Sequence, residues 1–283
     1  MTVTITTLVE NTTGMPNIIA EWGQSLLIEA DGKKVLFDTG PSGIFIENAK
    51  KLSVDLSDID AIVLSHGHYD HTGGLKDVLT LVQKAGKRPS GVEIIAHPDI
   101  FQQKCFYVKG MQPVNIGVPF SRAELEALGA RFNLTGKPVK ISENIMTTGE
   151  VEISNSFEKI DAILHVQKGD NYIPDCVADD LSVIIKTDKG LVVLLGCAHR
   201  GMINNIKHAQ KLTGIDQIYA VIGGTHLVSA SPEQMSETIK ALKGLNIQKL
   251  GASHCTGPKS AAVLAKELGD TFFFNNAAIK TVL

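Results

Sequence analysis

The sequence is poor in the features that mark secreted, membrane-spanning or nucleic-acid-coating chains. Four cysteines, Cys105, Cys176, Cys197 and Cys255, are scattered over 283 residues without CxxC spacing. That argues against a disulfide framework. The longest aliphatic run is Leu191–Leu195, far short of the ~20 residues a bilayer span requires. MTVTITTLVEN opens with neither a basic region nor an apolar stretch of signal length, so a cytoplasmic protein is expected. An excess of one charge is missing too, since 27 Lys and Arg stand against 30 Asp and Glu for a net of −3. This argues against broad electrostatic binding to nucleic acid or anionic membrane. It leaves a small-molecule substrate, an anionic one included, held by one or two cations.

With 43% hydrophobic residues and balanced charge, the chain is globular rather than disordered. Strand and helix patterns alternate from the start. TVTITTLVEN alternates as a half-buried strand, and SLLIEADGKKVLFD reads as two strands joined at Asp31-Gly32. A helix near Ile44–Leu52, the strand AIVL, a helix near Gly74–Lys84 and the strand GVEIIAHP follow. From Leu181 the rhythm resumes with the hairpin LSVIIKTDKGLVVLL and the helix INNIKHAQKL. Then come the strand IYAVI, the capped helix SPEQMSETIKAL and the short strands KLGASH and FFFN. Residues of about 98–178 break the pattern, with one helix at SRAELEALGA amid Gly, Pro and Asn. They read as an elaborated insertion into a single domain, 1–283, of the kind that builds lids and pockets.

The halves resemble each other. IENAKKL and IKHAQKL share four of seven residues at an offset of 160, and at that offset His66 falls on His226. Two hairpin–helix–strand halves predict an α/β sandwich, with two sheets face to face and helices outside.

The chemistry concentrates in Ser65-His66-Gly67-His68-Tyr69-Asp70-His71, directly after AIVL. His66 and His68, two apart on extended backbone, point the same way and can chelate one ion. Asp70 and His71 follow where the chain turns, aimed at a neighbouring position. Imidazole and carboxylate suit Zn²⁺, Fe or Mn, and no thiolate cluster demands zinc. His254 in GASHCTGP and His199 after LVVLLGCA are further candidate ligands. Cys197 is either a bridging thiolate or an ordinary buried cysteine. His226 is a ligand, a proton donor, a substrate contact or a packed ring. His97 caps a strand, while His165 and His208 read as surface residues. Asp38 in FDTG organises the metal loop by hydrogen bonds or merely closes a turn. Arg200, Lys104, Tyr107 and Lys109 are the candidates for meeting an anionic group.

VLFDTG, SHGHYDH and the later strand-end histidines together resemble the metallo-β-lactamase superfamily over nearly the whole chain. More narrowly, LSHGHYDHTGGL, DDLSVIIKTDKGLVVLLGCAH, VIGGTHL and HCTG are similar to a subgroup of metal-dependent hydrolases. That subgroup includes archaeal dihydropterin–ribofuranosylaminobenzene phosphate synthases. The resemblance implies an αβ/βα sandwich with a dinuclear site, zinc by default, at one edge of the sheets. It assigns His66 and His68 to one metal, and Asp70, His71 and His254 to the other. The family's further His, in a turn before the strand starting at Leu181, is absent from DCVADD. His199 is inferred to replace it, and Cys197 aligns with the usual bridging position.

The expected activity is hydrolysis of a small ester or phosphate-containing substrate by a metal-held water. Asp70 would orient that water, His226 would serve the leaving group, and Arg200 would bind an anionic part. A pterin-linked, phosphate synthase-type transfer is the main alternative. A tRNA-processing nuclease would predict a basic arm, and an oxygen reductase a flavin partner. A non-catalytic metal protein would need only four ligands.

Overall fold

Alternation at period two sorts each central strand between two apolar environments. In the strand Ser25–Ala30, Leu26 and Ile28 pack with Val183, Ile185, Val192 and Leu194 from the second half of the chain. Leu27, between them, packs instead with Phe45, Val78 and Val82 from helices. The strand Gly190–Leu195 does the same in mirror fashion. Val192 and Leu194 face the inter-sheet core, whereas Leu191, Val193 and Leu195 meet Met202, Ile206 and Leu264. Burial on both faces is why these strands read as unbroken apolar runs.

The computed structural model describes residues 1–283. A seven-stranded sheet has the order Lys280–Val282, Thr4–Val9, Ser25–Ala30, Lys33–Phe37, Ala61–Val63, Val92–Ala96, Ala130–Leu134. A six-stranded sheet has the order Phe272–Phe274, Lys249–Ser253, Ile218–Gly224, Gly190–Leu195, Val183–Thr187, Ile145–Thr147. Helices Ile44–Lys51 and Leu75–Ala85 cover one sheet; Met202–Thr213, Pro232–Gly244 and Pro258–Leu268 cover the other. The result is the expected αβ/βα sandwich. No helix is long and apolar enough to cross a membrane.

The two halves repeat one strand plan. In each, an antiparallel hairpin is followed by three parallel neighbours, beginning from Lys33–Phe37 in one sheet and Gly190–Leu195 in the other. The Asp31-Gly32 turn is tight, with Ala30 opposite Lys33 and φ of 52° and 68° at the two central residues. Those left-handed values are what a two-residue hairpin needs.

The stretch of about 98–178 is not a single insertion. Ala130–Leu134 pairs in parallel with Val92–Ala96, and Ile145–Thr147 pairs with Val183–Thr187, so both belong to the main sheets. Both are edge strands, Ala130–Leu134 with mostly part-exposed side chains and Ile145–Thr147 only three residues long, and such strands carry little hydrophobic periodicity. What stands apart is a four-stranded sheet, Asn171–Pro174, Leu164–Lys168, Lys104–Phe106, Val114–Asn115. The sequence pattern also left out helix Pro258–Leu268 and the terminal strand Lys280–Val282, which pairs with Thr4–Thr6.

A buried cation fastens the small sheet to the rest. Lys104 Nζ lies 2.8 Å from Asp175 and 2.7 Å from Asp179, all three essentially out of solvent. The second oxygen of Asp179 accepts the Gly67 N–H at 2.7 Å, which ties the sheet to the histidine loop.

Candidate metal centre

The parallel strands of both sheets end along one edge, and every candidate ligand sits in a loop leaving that edge. Four non-glycine residues there, Asp38, Ala198, His226 and His254, have φ of 61°, 54°, 49° and 51°. Left-handed backbone at such residues costs of order 1–3 kcal/mol each and persists where the surroundings hold it in place. At His254 the restraints are visible. Its N–H donates to Glu10 at 2.7 Å, and its Nδ1 lies 2.9 Å from Asn11 Oδ1.

Two groups of donors result. The Nε2 of His66 lies 2.9 Å from Nδ1 of His68 and 3.2 Å from Nε2 of His199. Beside it, Nε2 of His71 lies 3.2 Å from Nε2 of His254 and 3.2 Å from Cys197 Sγ. Asp70 Oδ2 is 3.3 Å from the same His254 nitrogen. Cys197 belongs to both groups: its sulfur is within 4.8 Å of the His66 and His199 nitrogens, and of those of His71 and His254. Imidazole nitrogens facing one another in a buried space satisfy no hydrogen-bond pattern unless protons intervene, and they suit a metal. Nε2 of His68 and Nδ1 of His199 have no partner at all.

The electrostatics agree with this fit. Burial, joined by the neighbouring imidazoles, pushes His66 and His199 well below the ordinary histidine range. Burial does the same to His68 against the pull of Asp70. Neutral imidazole is the form a metal takes. Burial alone would raise Asp70, yet His71 and His254 hold it lower, so it stays ionised. Burial, with Cys255 alongside, raises the Cys197 thiol.

Asp38 makes the hydrogen bonds expected of it. One oxygen accepts from the Ser65 N–H at 2.7 Å, and the other meets Ser65 Oγ and His71 Nδ1, each at 2.7 Å. This places the His71 proton on Nδ1 and turns Nε2 toward the other donors. DCVADD, though it lacks histidine, serves the site in another way. Asp179 holds Gly67, and Asp180 accepts the Arg200 N–H at 2.9 Å, steadying the turn that carries His199. Burial pushes Asp180 up to about 6.

A cleft of about 90 Å³ opens onto the donors, lined also by Trp22, Tyr69, Phe106 and Ile116. Trp22 is 54% exposed and stands edge-on to His254 at 5.4 Å. None of these aromatic residues stands out in the sequence, because one Trp in a loop or one Phe at the end of a three-residue strand has no periodic signature. His226 lines the cleft with its ring 4.2 Å from that of His199, and both its nitrogens are buried without a partner.

Other expectations are corrected. Arg200 does not reach the cleft, because its guanidinium is held by Glu150 at 2.8 Å. Lys104 is committed to Asp175 and Asp179, and Tyr107 stacks on Tyr172 at 4.4 Å. His97 accepts from the Asp99 N–H as a helix cap, outside the cleft. His165 lies near the surface as expected, against the Ile163 carbonyl, whereas His208 is part-buried against the Thr148 carbonyl. No lysine or arginine lines the cleft.

A pH dependence follows for the metal-free protein. Burial works against the His71 cation, but Asp38 and Asp70 outweigh it and raise its pKa to about 9. A raised histidine stabilises the fold fully below its unfolded value of ~6.5, and that stability disappears as pH climbs through 9. Thermal melts of metal-free protein should therefore show a loss on the order of 3 kcal/mol between pH 6.5 and 9. His71→Asn should flatten that slope, and an equally steep slope in the variant would remove His71 as its source.

A family model for the metallo-beta-lactamase superfamily matches residues 23–129. Over 266 residues the chain is 35% identical to a Methanocaldococcus jannaschii protein, covering 89% of this chain and 87% of that one. That protein is named 7,8-dihydropterin-6-methyl-4-(beta-D-ribofuranosyl)-aminobenzene-5'-phosphate synthase. An uncharacterized protein of the same organism is 32% identical, covering 92% of this chain and 93% of its own length. The solved structure of Tm1679, described as a metal-dependent hydrolase of the beta-lactamase superfamily, superposes with a TM-score of 0.82 at 26% identity. It covers 99% of this chain and 98% of its own. Strand plan, clustered histidines and these relatives agree: the chain belongs to the metallo-β-lactamase superfamily.

Proposed function

We propose that the chain is a cytoplasmic metal-dependent hydrolase with a dinuclear site. His66, His68 and His199 would hold one ion, and Asp70, His71 and His254 the other, with Cys197 between them. The observation that carries this reading is the convergence of five buried imidazole nitrogens and the Cys197 sulfur on two adjacent points. Zinc is the first candidate, with iron or manganese as alternatives; such ions acidify water and polarise a carbonyl or phosphoryl oxygen. The remaining chemistry belongs to the side chains. Asp70, the one carboxylate lining the cleft, stays ionised and would orient the attacking water. His226 stands beside the cleft with both nitrogens free, placed to carry a proton to the leaving oxygen. Asp38 keeps His71 in one tautomer throughout. Trp22, Tyr69 and Phe106 shield the mouth from bulk water.

The substrate class is a small ester or a phosphate-containing molecule; nucleic acid and membrane are not expected partners. Because no lysine or arginine lines the cleft, an anionic group would be met by the metals rather than by Arg200. A second reading, pterin-linked transfer of the kind named for the Methanocaldococcus jannaschii relative, draws support from two sides. One is the 35% identity, and the other is the presence of Trp22, Tyr69 and Phe106 in the cleft lining, where a flat ring could be met by aromatic side chains. Formation of a product carrying both a dihydropterin and a ribofuranosylaminobenzene phosphate would decide for it.

Elemental analysis of protein purified without added metal or chelator tests the main reading. Two ions per chain are expected, with one lost in His199→Ala and none in His226→Ala. Phosphodiester and lactone screens then follow. One ion or none, unchanged by either substitution, would overturn the dinuclear mechanism.

A further inference from the structure

Cys255 has no part in the two donor groups above, yet it lies beside both. Cys197 Sγ, an imidazole nitrogen of His226 and Cys255 Sγ come within 4.8 Å of one another. They leave three different strands, Gly190–Leu195, Ile218–Gly224 and Lys249–Ser253, at the same sheet edge. All three line the cleft, so the space between them is continuous with the metal centre. The backbone fixes Cys255 closely. Its sulfur receives the His226 N–H at 3.2 Å and lies 3.4 Å from the Cys197 carbonyl oxygen. Gly224 makes room for it, since a Cβ there would stand 2.7 Å from that sulfur. The His226 nitrogens, buried and unpartnered, have no protein group to satisfy them.

We propose that Cys197, His226 and Cys255 form a third donor set that binds a thiophilic divalent ion between two thiolates. The proposal rests on the reading of Cys197 as part of the metal centre and applies to the chain before its two ions are bound; once they are, Cys197 lies between them and His226 is free for proton transfer. Two thiolates and an imidazole select Zn²⁺, Fe²⁺ or Cd²⁺, whereas Mg²⁺ and Mn²⁺ favour carboxylate and water. Binding releases the two thiol protons to solvent. Cys255 then gives up its contact as donor to the Cys197 carbonyl, while the His226 N–H continues to donate to the sulfur. The competing state is a neutral Cys255 thiol that only packs and donates to that carbonyl.

Cadmium added to the full chain after its resident metal is removed separates these states, with Cys176→Ser as the background because Cys176 is exposed. The ultraviolet sulfur-to-cadmium absorption should correspond to two thiolates. It should halve in Cys255→Ser and vanish in Cys197→Ser/Cys255→Ser. His226→Ala should retain the band with cadmium affinity lowered about tenfold or more. An unchanged band in Cys255→Ser would overturn the proposal. A ¹¹³Cd resonance on the chain with all its cysteines guards against misfolded variants. A shift typical of two sulfurs supports the third set, and one typical of nitrogen and oxygen donors, or no bound cadmium, overturns it. Zinc content and hydrolysis are read separately: two zinc ions with a single-thiolate cadmium signal would reject this inference and leave the dinuclear hydrolase standing. A two-thiolate signal on a chain without hydrolytic activity would do the reverse.

Discussion

Asp70→Asn should lower kcat/KM by about 10³-fold, within the 10²–10⁴ range for loss of a positioned acid–base group. The substitution keeps shape and removes charge. Asp70 is buried among His71, His254 and His68, and its negative charge is what those rings balance. With the charge gone, the donor group around His71 and His254 loses its only carboxylate, so metal content should fall by about one ion per chain. His71 also loses one of the two carboxylates that raise it, and its titration in metal-free protein should move to lower pH. Steady-state kinetics with elemental analysis on the same samples checks both outcomes. Activity within tenfold of the parent and an unchanged metal count would show that Asp70 neither ligates nor orients.

The largest effect on stability is expected away from the histidines. Lys104→Met leaves Asp175 and Asp179 buried together without their cation, and breaking such a group costs about 3–5 kcal/mol. For a chain of this size that corresponds to a fall in melting temperature of roughly 6–20 °C. The damage should also reach the metal. Asp179 holds the Gly67 N–H between His66 and His68, so a shifted Asp179 should weaken metal binding by about 10–100-fold, as supporting hydrogen bonds to ligands generally do. Lys104→Met/Asp175→Leu/Asp179→Leu separates the two effects. Removing the whole buried charge group should restore much of the melting temperature without restoring metal affinity, because Gly67 still lacks its acceptor. A melting temperature within 2 °C of the parent in Lys104→Met would mean that water or backbone movement compensates the two carboxylates.

Lys104 also illustrates where sequence reading fails. Among 27 basic residues nothing local marks it as buried; its two partners lie 71 and 75 positions away. Arg200 is a second case: its place beside His199 implies a substrate contact, but the fold sets Glu150 against its guanidinium. Long charged side chains are placed by whatever opposite charge the fold delivers, and that information is not local. The aromatic residues at the mouth belong to the same class. Trp22 precedes a strand, Tyr69 follows a ligand and Phe106 lies in the small sheet, and only folding brings them to one opening.

The histidine loop stands at the other extreme. His66, His68, Asp70 and His71 are neighbours in the chain, so chelating spacing and direction are properties of a few backbone bonds. The strand alternation that separates Leu27 from Leu26 and Ile28 is local in the same sense, as is the Asp31-Gly32 turn. These local features are enough to imply the sandwich, its duplicated halves and the place of the candidate metal centre. Tertiary structure alone decided the rest. It placed Cys197 between the two donor groups, put Asp179 and Asp180 behind the histidine loops, and divided residues 98–178 between the main sheets and a separate one. Periodicity and spacing act over one turn or one strand, whereas buried ion pairs and donor sets join segments from 71 to 183 residues apart.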